Sequence, residues 1–369
     1  FDFLDMATDD SAVLRYFVKY PITNALCGLP IQSKNDIVFK LMGINDRFYS
    51  TSYYSSFKSD LFKSFKSNIK RGHILVNGNY STLLGNPMEM LSQTLSEFNG
   101  VSQLGIGNIH STRFEYNKEI LGSRSPHVCA SNVLIANNVA DENIDKYFNL
   151  TEEIVCINSI GENILQRLNG ADFDSDTMLL TDNEVLLRAA KRNYDVFKVP
   201  TCMVEAKKTK RYYTAEQQAD LDIKTSVNKI GEIINFSQVL NTLYWDNLHK
   251  GQTHEENLDL FLDIAQLSVM SNIEIDKAKK EFVIDNGQEL NKLREKYIDA
   301  LNTESGKSTL PYFFAHISRL KGYYNPEKKE YTKHHTTMDY IQTIANGYHK
   351  KYESRKSDKP FVYILNKEK

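Results

Sequence analysis

The sequence is short of the residues that mark several special classes of protein. Its four cysteines, Cys27, Cys129, Cys156 and Cys202, lie far apart and form no Cys-x-x-Cys pair. That spacing argues against a zinc site and suits reduced thiols, so a cytoplasmic setting is expected. No apolar run reaches membrane-spanning length and no signal peptide is visible. A membrane partner is therefore not expected. Neither sign of charge dominates, because the formal net charge is −2. Without a global basic field, any nucleic-acid contact must come from local patches, which disfavours a simple coating protein. No internal repeat or low-complexity segment stands out. The chain starts with Phe1 rather than Met, which suggests a piece of a longer protein.

What is present is ordinary for a globular chain. The hydrophobic fraction is 41% and the charged fraction 25%. A length of 369 residues allows two or three domains with real cores. Four stretches differ in texture. Residues 1–70 form an N-terminal segment, readable as the end of a preceding domain. Within it, Ala12–Val18 and Ile37–Met42 read as strands or short helices. From Tyr49 to Arg71, Tyr53, Tyr54, Phe57, Phe62 and Phe65 alternate with Lys58, Lys63, Lys66 and Lys70. This interleaving suits either an amphipathic helix or a surface that tracks a nucleic-acid backbone.

Residues 71–185 carry short strand signals separated by Gly/Asn turns, the texture of a barrel or sandwich. The candidates are His73–Asn77 before a Gly78-Asn79 turn, Ser131–Ala136, Ile154–Asn158 and Met178–Thr181. Pro87 marks the first turn of a helix. Over 186–300 the period lengthens to that of helices. Asp182 or Asn183 caps the first of them. A long helix is predicted from Ala215 to Leu248, with Gly231 a point of close packing or bending, and another from Glu256 to Phe282. Residues 301–369 form a Lys/Tyr-rich C-terminal segment broken by Pro311, Gly322 and Pro326.

The stretch with the most chemistry is Asn169-Gly170-Ala171-Asp172-Phe173-Asp174-Ser175-Asp176-Thr177. On an extended backbone, aspartates at every second position share a face. Three close carboxylates repel unless a cation offsets them, and hard divalent ions take oxygen ligands. Phe173 offers an apolar anchor on the opposite side. A calcium loop counted from Asp172 needs Gly at the sixth position and Glu at the twelfth, where Thr177 and Asn183 stand. A phosphatase of the Asp-x-Asp-x-Thr kind would need an apolar strand immediately before the nucleophile, where Gln166–Gly170 reads as a turn. A solvated acidic turn is the remaining plain reading.

Several stretches, in order, carry a resemblance. Gly170-Ala171-Asp172-Phe173-Asp174-Ser175-Asp176 resembles the metal loop of the two-barrel RNA polymerase superfamily, in its catalytic, large-subunit-like half. The pattern is closest to single-chain RNA-dependent and phage-type RNA polymerases. Arg124-Ser125-Pro126-His127 is similar to the family's upstream Arg-x-Pro motif. Ile230-Gly231-Glu232-Ile233, Ile264-Ala265-Gln266-Leu267 and Ile275-Asp276-Lys277-Ala278-Lys279 follow the order of its downstream segments. The resemblance covers roughly residues 71–282. It implies a mixed α/β fold: a double-psi β-barrel over 71–185 carrying the aspartate loop, followed by a mostly helical region with a bridge-helix-like segment.

The implied activity is templated nucleotidyl transfer to an RNA 3′ end. Two Mg²⁺ or Mn²⁺ ions, roughly 3.5–4 Å apart, would act on the attacking and leaving oxygens. Asp172, Asp174 and Asp176 would hold metal. Arg124 and Pro126 would lie at the incoming nucleotide, Arg124 beside its sugar. Gly231, Asp276 and Lys279 would support the site, Asp276 and Lys279 by pairing with each other. The implied partners are nucleoside triphosphates, a nucleic-acid template, the RNA product and a second, lysine-bearing barrel from another subunit or from missing sequence. Ser175 replaces the family's glycine, and a positive φ there would strain it. The alternative is a non-catalytic nucleic-acid-binding or scaffold protein that retains a polymerase-like barrel.

Overall fold

A computed structural model describes residues 9–10, 12–13, 34–207, 210–277, 279–297, 324–325 and 330–331. The chain divides into two units, 1–74 with 311–369, and 75–310.

In the first unit, helix α1 spans Lys34–Ile44 and helix α2 spans Ser52–Lys70. Thr51 caps α2, its hydroxyl accepting the Tyr54 N–H at 3.1 Å. The aromatic stripe of α2 turns inward. Tyr54, Phe57 and Phe62 are buried with Val38, Met42, Ala12 and Val13. Lys58 pairs with Asp10. The alternation of aromatic and basic residues is thus an amphipathic helix, and these three rings have no face left for stacking on bases. Most of Ala12–Val18 and nearly all of the 301–369 segment lie outside the described residues. The described part of that tail is a short antiparallel pairing of Tyr324–Asn325 with Glu330–Tyr331.

The second unit opens with a closed six-stranded barrel. Its strands are β1 (Gly78–Gly85), β2 (Asn108–His110), β3 (Lys118–Ser123), β4 (Val133–Asn138), β5 (Ile154–Ile157) and β6 (Thr177–Thr181). Around the barrel they run β1-β5-β2-β4-β3-β6, so sequence neighbours other than β3 and β4 are not neighbours in space. The pairs β1–β5 and β2–β4 are parallel and the other four antiparallel. The interior holds Leu83, Ile109, Ile120, Leu134, Val155, Ile157, Met178 and Leu180. Along β6, Met178 and Leu180 are fully buried and Leu179 between them only partly, the alternation a pleated strand imposes.

His73–Asn77 does not form the predicted first strand. The strand starts at Gly78, which had read as a turn. Here glycine serves packing: a Cβ at Gly78 would stand 2.7 Å from the Leu180 carbonyl oxygen on β6. Helix α3 (Pro87–Thr94) follows β1, with Pro87 in its first turn and Asn86 accepting the Met88 N–H at 2.9 Å. Helix α4 (Glu142–Phe148) packs on Leu104 and Cys156, and helix α5 (Ile164–Arg167) lies just before the aspartate stretch.

Beyond β6, Asn183 caps helix α6 (Glu184–Asn193). The helix predicted over Ala215–Leu248 is two helices, α7 (Ala215–Ser226) and α8 (Ile230–His249). The break falls before Gly231, at Val227–Lys229. There the buried Glu274 carboxylate accepts the Lys229 N–H at 2.8 Å and so satisfies a donor outside the helix ladder. Gly231 itself lies in the first turn of α8 with nothing within 4 Å of a built Cβ, so it is not a point of close packing. Helix α9 (Leu258–Asp276) ends short of the predicted Phe282. Helix α10 (Asn286–Lys296) is the last described helix. Ile233, Leu240 and Tyr244 of α8 bury against Ile264, Leu267 and Met270 of α9 and Leu290 and Leu293 of α10. Val128 and Cys129, from the loop after β3, join this core and tie it to the barrel.

Candidate active site

The aspartates lie in the loop between α5 and β6, at one end of the barrel. The chain leaves α5 through a tight turn in which Asn169 and Gly170 both adopt the left-handed region, with φ 56° and 69°. Asn169 is 1% exposed, and both polar atoms of its amide are hydrogen-bonded. Nδ2 donates to the Pro126 carbonyl at 2.9 Å, and Oδ1 accepts the Ser268 hydroxyl of α9 at 2.8 Å. Gly170 lies against the amide of Asn272, 3.1 Å from where a Cβ would be. The turn therefore anchors the loop on α9 on one side and on the Arg124–Pro126 segment on the other. At the far end, the Asp176 carbonyl accepts the Leu83 N–H of β1 at 2.8 Å.

Between these anchors the carboxylates converge. One ligand oxygen from each of Asp172, Asp174 and Asp176 lies within 4.8 Å of the others. Asp176 is the framework member. Nη2 of Arg124 lies 2.8 Å from each of its oxygens, and it accepts the Asp172 N–H at 2.9 Å. Arg124 is 8% exposed, and its Nη1 also donates to the Asn169 carbonyl at 3.2 Å. Pro126 contributes its backbone carbonyl to Asn169. Phe173 is half exposed, beside Gly85, rather than a buried anchor.

Asp172 and Asp174 are the solvent-facing members. Lys279 spans them, its Nζ 2.7 Å from Asp174 Oδ2 and 3.3 Å from Asp172 Oδ2. The expected pairing of Lys279 with Asp276 is not made. Asp276 is the last residue of α9 and pairs with Lys280 at 2.7 Å; Lys279 lies beyond the helix end, so the two no longer share a helical face. A hydrogen bond between the two carboxyl groups pushes Asp172 above the usual carboxylate range and holds Asp174 below it, with Lys279 lowering Asp174 further. The same contacts, first with Asp174, raise the Lys279 ammonium above its ordinary value.

Ser175 has φ 91°, a positive value that favours glycine, so the strain expected of a serine at this position is present. The turn at Asn169-Gly170 is part of the Gln166–Gly170 turn read from the sequence, but its anchors on α9, Ser268 and Asn272, are not marked there by any local pattern.

The donor set fits a hard divalent cation. It consists of oxygen ligands only, three carboxylates against two cationic side chains, and Lys279 already holds a positive charge between two of them. Among the described residues these are the group of three acidic, His or Cys side chains close enough to share an ion.

No family model and no curated protein matches this chain. Among solved structures it is similar to the RNA dependent RNA polymerase QDE-1 from Thielavia terrestris, at 13% identity and a TM-score of 0.48. That match covers 89% of this chain and 35% of the polymerase. No helix among the described residues is long and apolar enough to cross a membrane.

Proposed function

We propose that the chain is the catalytic-barrel portion of a nucleic-acid-templated RNA polymerase, a nucleotidyltransferase that extends an RNA 3′ end, and that its barrel is of the double-psi type. The observation that carries this reading is the convergence of Asp172, Asp174, Asp176 and Arg124 at one end of a closed barrel, with Arg124 bonded directly to Asp176. In this reading the barrel spans 71–185 and the helical region 186–300.

Asp172, Asp174 and Asp176 would hold Mg²⁺ or Mn²⁺. Such an ion would acidify the primer hydroxyl and offset charge on the phosphoryl oxygens. The chain's own residues prepare the site. Arg124 and the Asp172 N–H orient the Asp176 carboxylate, while Asn169 and Gly170 fix the loop on α9. Arg124 would further face the sugar of the incoming nucleoside triphosphate, with Pro126 holding its loop. The remaining partners would be a template, the RNA product and a second barrel that contributes lysines to the triphosphate.

The bond from Lys279 to Asp172 and Asp174 favours a second reading, a scaffold whose acidic loop is satisfied by protein alone. Nucleotide incorporation separates the two. The complete protein, given a primer-template, all four ribonucleotides and Mg²⁺ or Mn²⁺, is expected to extend the primer, and Asp174→Ala to lose extension by roughly a thousandfold. Arg124→Ala is expected to discriminate less between ribo- and deoxyribonucleotides. Extension that persists in Asp174→Ala moves catalysis away from this loop, and unchanged discrimination removes Arg124 from the sugar. Metal binding without extension favours the scaffold.

A further inference from the structure

We propose that Lys279 is a built-in counter-ion of the aspartate loop, and that a divalent cation must displace it from Asp172 and Asp174 in order to bind. The inference rests on the reading of this loop as a metal site. Its basis is a division of labour among the three carboxylates. Asp176 is committed to Arg124 and to the Asp172 N–H. Asp172 and Asp174 direct their outer oxygens at the Lys279 ammonium, at 3.3 and 2.7 Å. An ion bridging the loop needs those same two residues, and two cations a few ångströms apart repel.

The tether of Lys279 suits an exchangeable group. Its backbone is held at the end of α9, where its N–H donates to the Asp276 carbonyl at 2.8 Å. Its side chain is 52% exposed and free to rotate away. Its neighbours do not compete for the aspartates: Lys277 donates to the Val227 carbonyl at 3.2 Å and Lys280 to Asp276 at 2.7 Å. The displaced ammonium would turn toward an adjoining cavity of about 650 Å³, whose wall carries five other cationic side chains against three carboxylates. That side offers no net attraction, so the ammonium returns to the aspartates whenever the metal leaves. The apparent metal affinity is then the intrinsic affinity reduced by the fraction of molecules in which Lys279 has moved aside.

The test is Mn²⁺ titration of the full chain without nucleotide, read as loss of the free-ion electron paramagnetic resonance signal. Wild type, Lys279→Met, Lys279→Gln, Lys279→Arg and Asp174→Ala are compared, each checked for folding by circular dichroism. Lys279→Met and Lys279→Gln are expected to bind Mn²⁺ roughly two- to fivefold more tightly than wild type, given the modest strength of an exposed ion pair. Lys279→Arg should keep the wild-type affinity, and Asp174→Ala should lose the site. Equal or weaker binding in the two neutral variants overturns the counter-ion while leaving the metal site standing. No Mn²⁺ binding by any folded variant overturns the metal reading itself.

Discussion

Ser175 carries the sharpest local conflict between residue and conformation. At φ 91° its Cβ crowds the backbone, and L-residues other than Asn and Asp rarely adopt such a value. The flanking aspartates explain why the conformation persists. Residue 175 must turn the chain enough for the Asp174 and Asp176 carboxylates to converge, and Arg124 holds Asp176 in place. Ser175→Gly should relieve the strain and raise stability by about 1 kcal/mol, less what glycine adds to the entropy of the unfolded chain. Urea denaturation checks this, and a fall in the transition midpoint would contradict the strain argument. Much at this scale was legible in the sequence. Alternating acids named the loop, and the departure at Ser175 pointed to its unusual φ. The partner of Asp172 and Asp174 was not legible. Lys279 is 107 residues from Asp172, and helical spacing suggested Asp276 instead. That spacing holds only while the helix continues, and α9 stops at Asp276.

Elements whose ends are written in capping residues were readable. Pro87 marks the start of α3 because a first helical turn tolerates it, and Asn183 that of α6 because its side chain takes the orphan N–H groups of the first turn; the Asn86 cap of α3 went unread. Strands β4, β5 and β6 showed as apolar runs, within a residue or two of their bounds. Strand β2 has three residues and β3 reads Lys-Glu-Ile-Leu-Gly-Ser, too short or too polar at one end to show a period. The break between α7 and α8 was hidden because the group that takes the Lys229 N–H there, Glu274, lies on another helix far along the sequence.

Two glycines test this account of the elements from opposite directions. Gly170 has φ 69° and Asn272 at 3.1 Å, so Gly170→Ala should destabilise by about 1–2 kcal/mol from left-handed strain and crowding. Gly231 has open space around it in a helix, so Gly231→Ala should stabilise by about 0.5–1 kcal/mol. Thermal or urea unfolding of both variants reads the two signs. A stabilising Gly170→Ala would mean the turn is not held as described, and a destabilising Gly231→Ala would restore a role for that glycine.

At the scale of the molecule, closure of the barrel is what brings the site together. β6 lies between β1 and β3. The loop entering β6 is therefore set beside the loop leaving β3, and Arg124 meets Asp176 across 52 residues of sequence. A barrel-like texture was visible in the alternating short strands and turns. Strand order was not, because every pairing except β3–β4 joins strands that are not consecutive, and no local pattern encodes which distant strand will pair. Charge is likewise a local matter in this chain. A net charge of −2 says little, while the loop sets three carboxylates against Arg124 and Lys279 and leaves one negative charge for a cation to offset.

The most direct test of the central claim is to find that cation. Crystals of the chain soaked in Mn²⁺ and measured at a wavelength where manganese scatters anomalously should show a peak among the Asp172, Asp174 and Asp176 carboxylates, about 2.0–2.4 Å from their oxygens. Lys279 Nζ should have moved away from Asp174. A peak elsewhere, or no peak with Lys279 still bridging Asp172 and Asp174, would contradict the assignment of this loop as the metal centre.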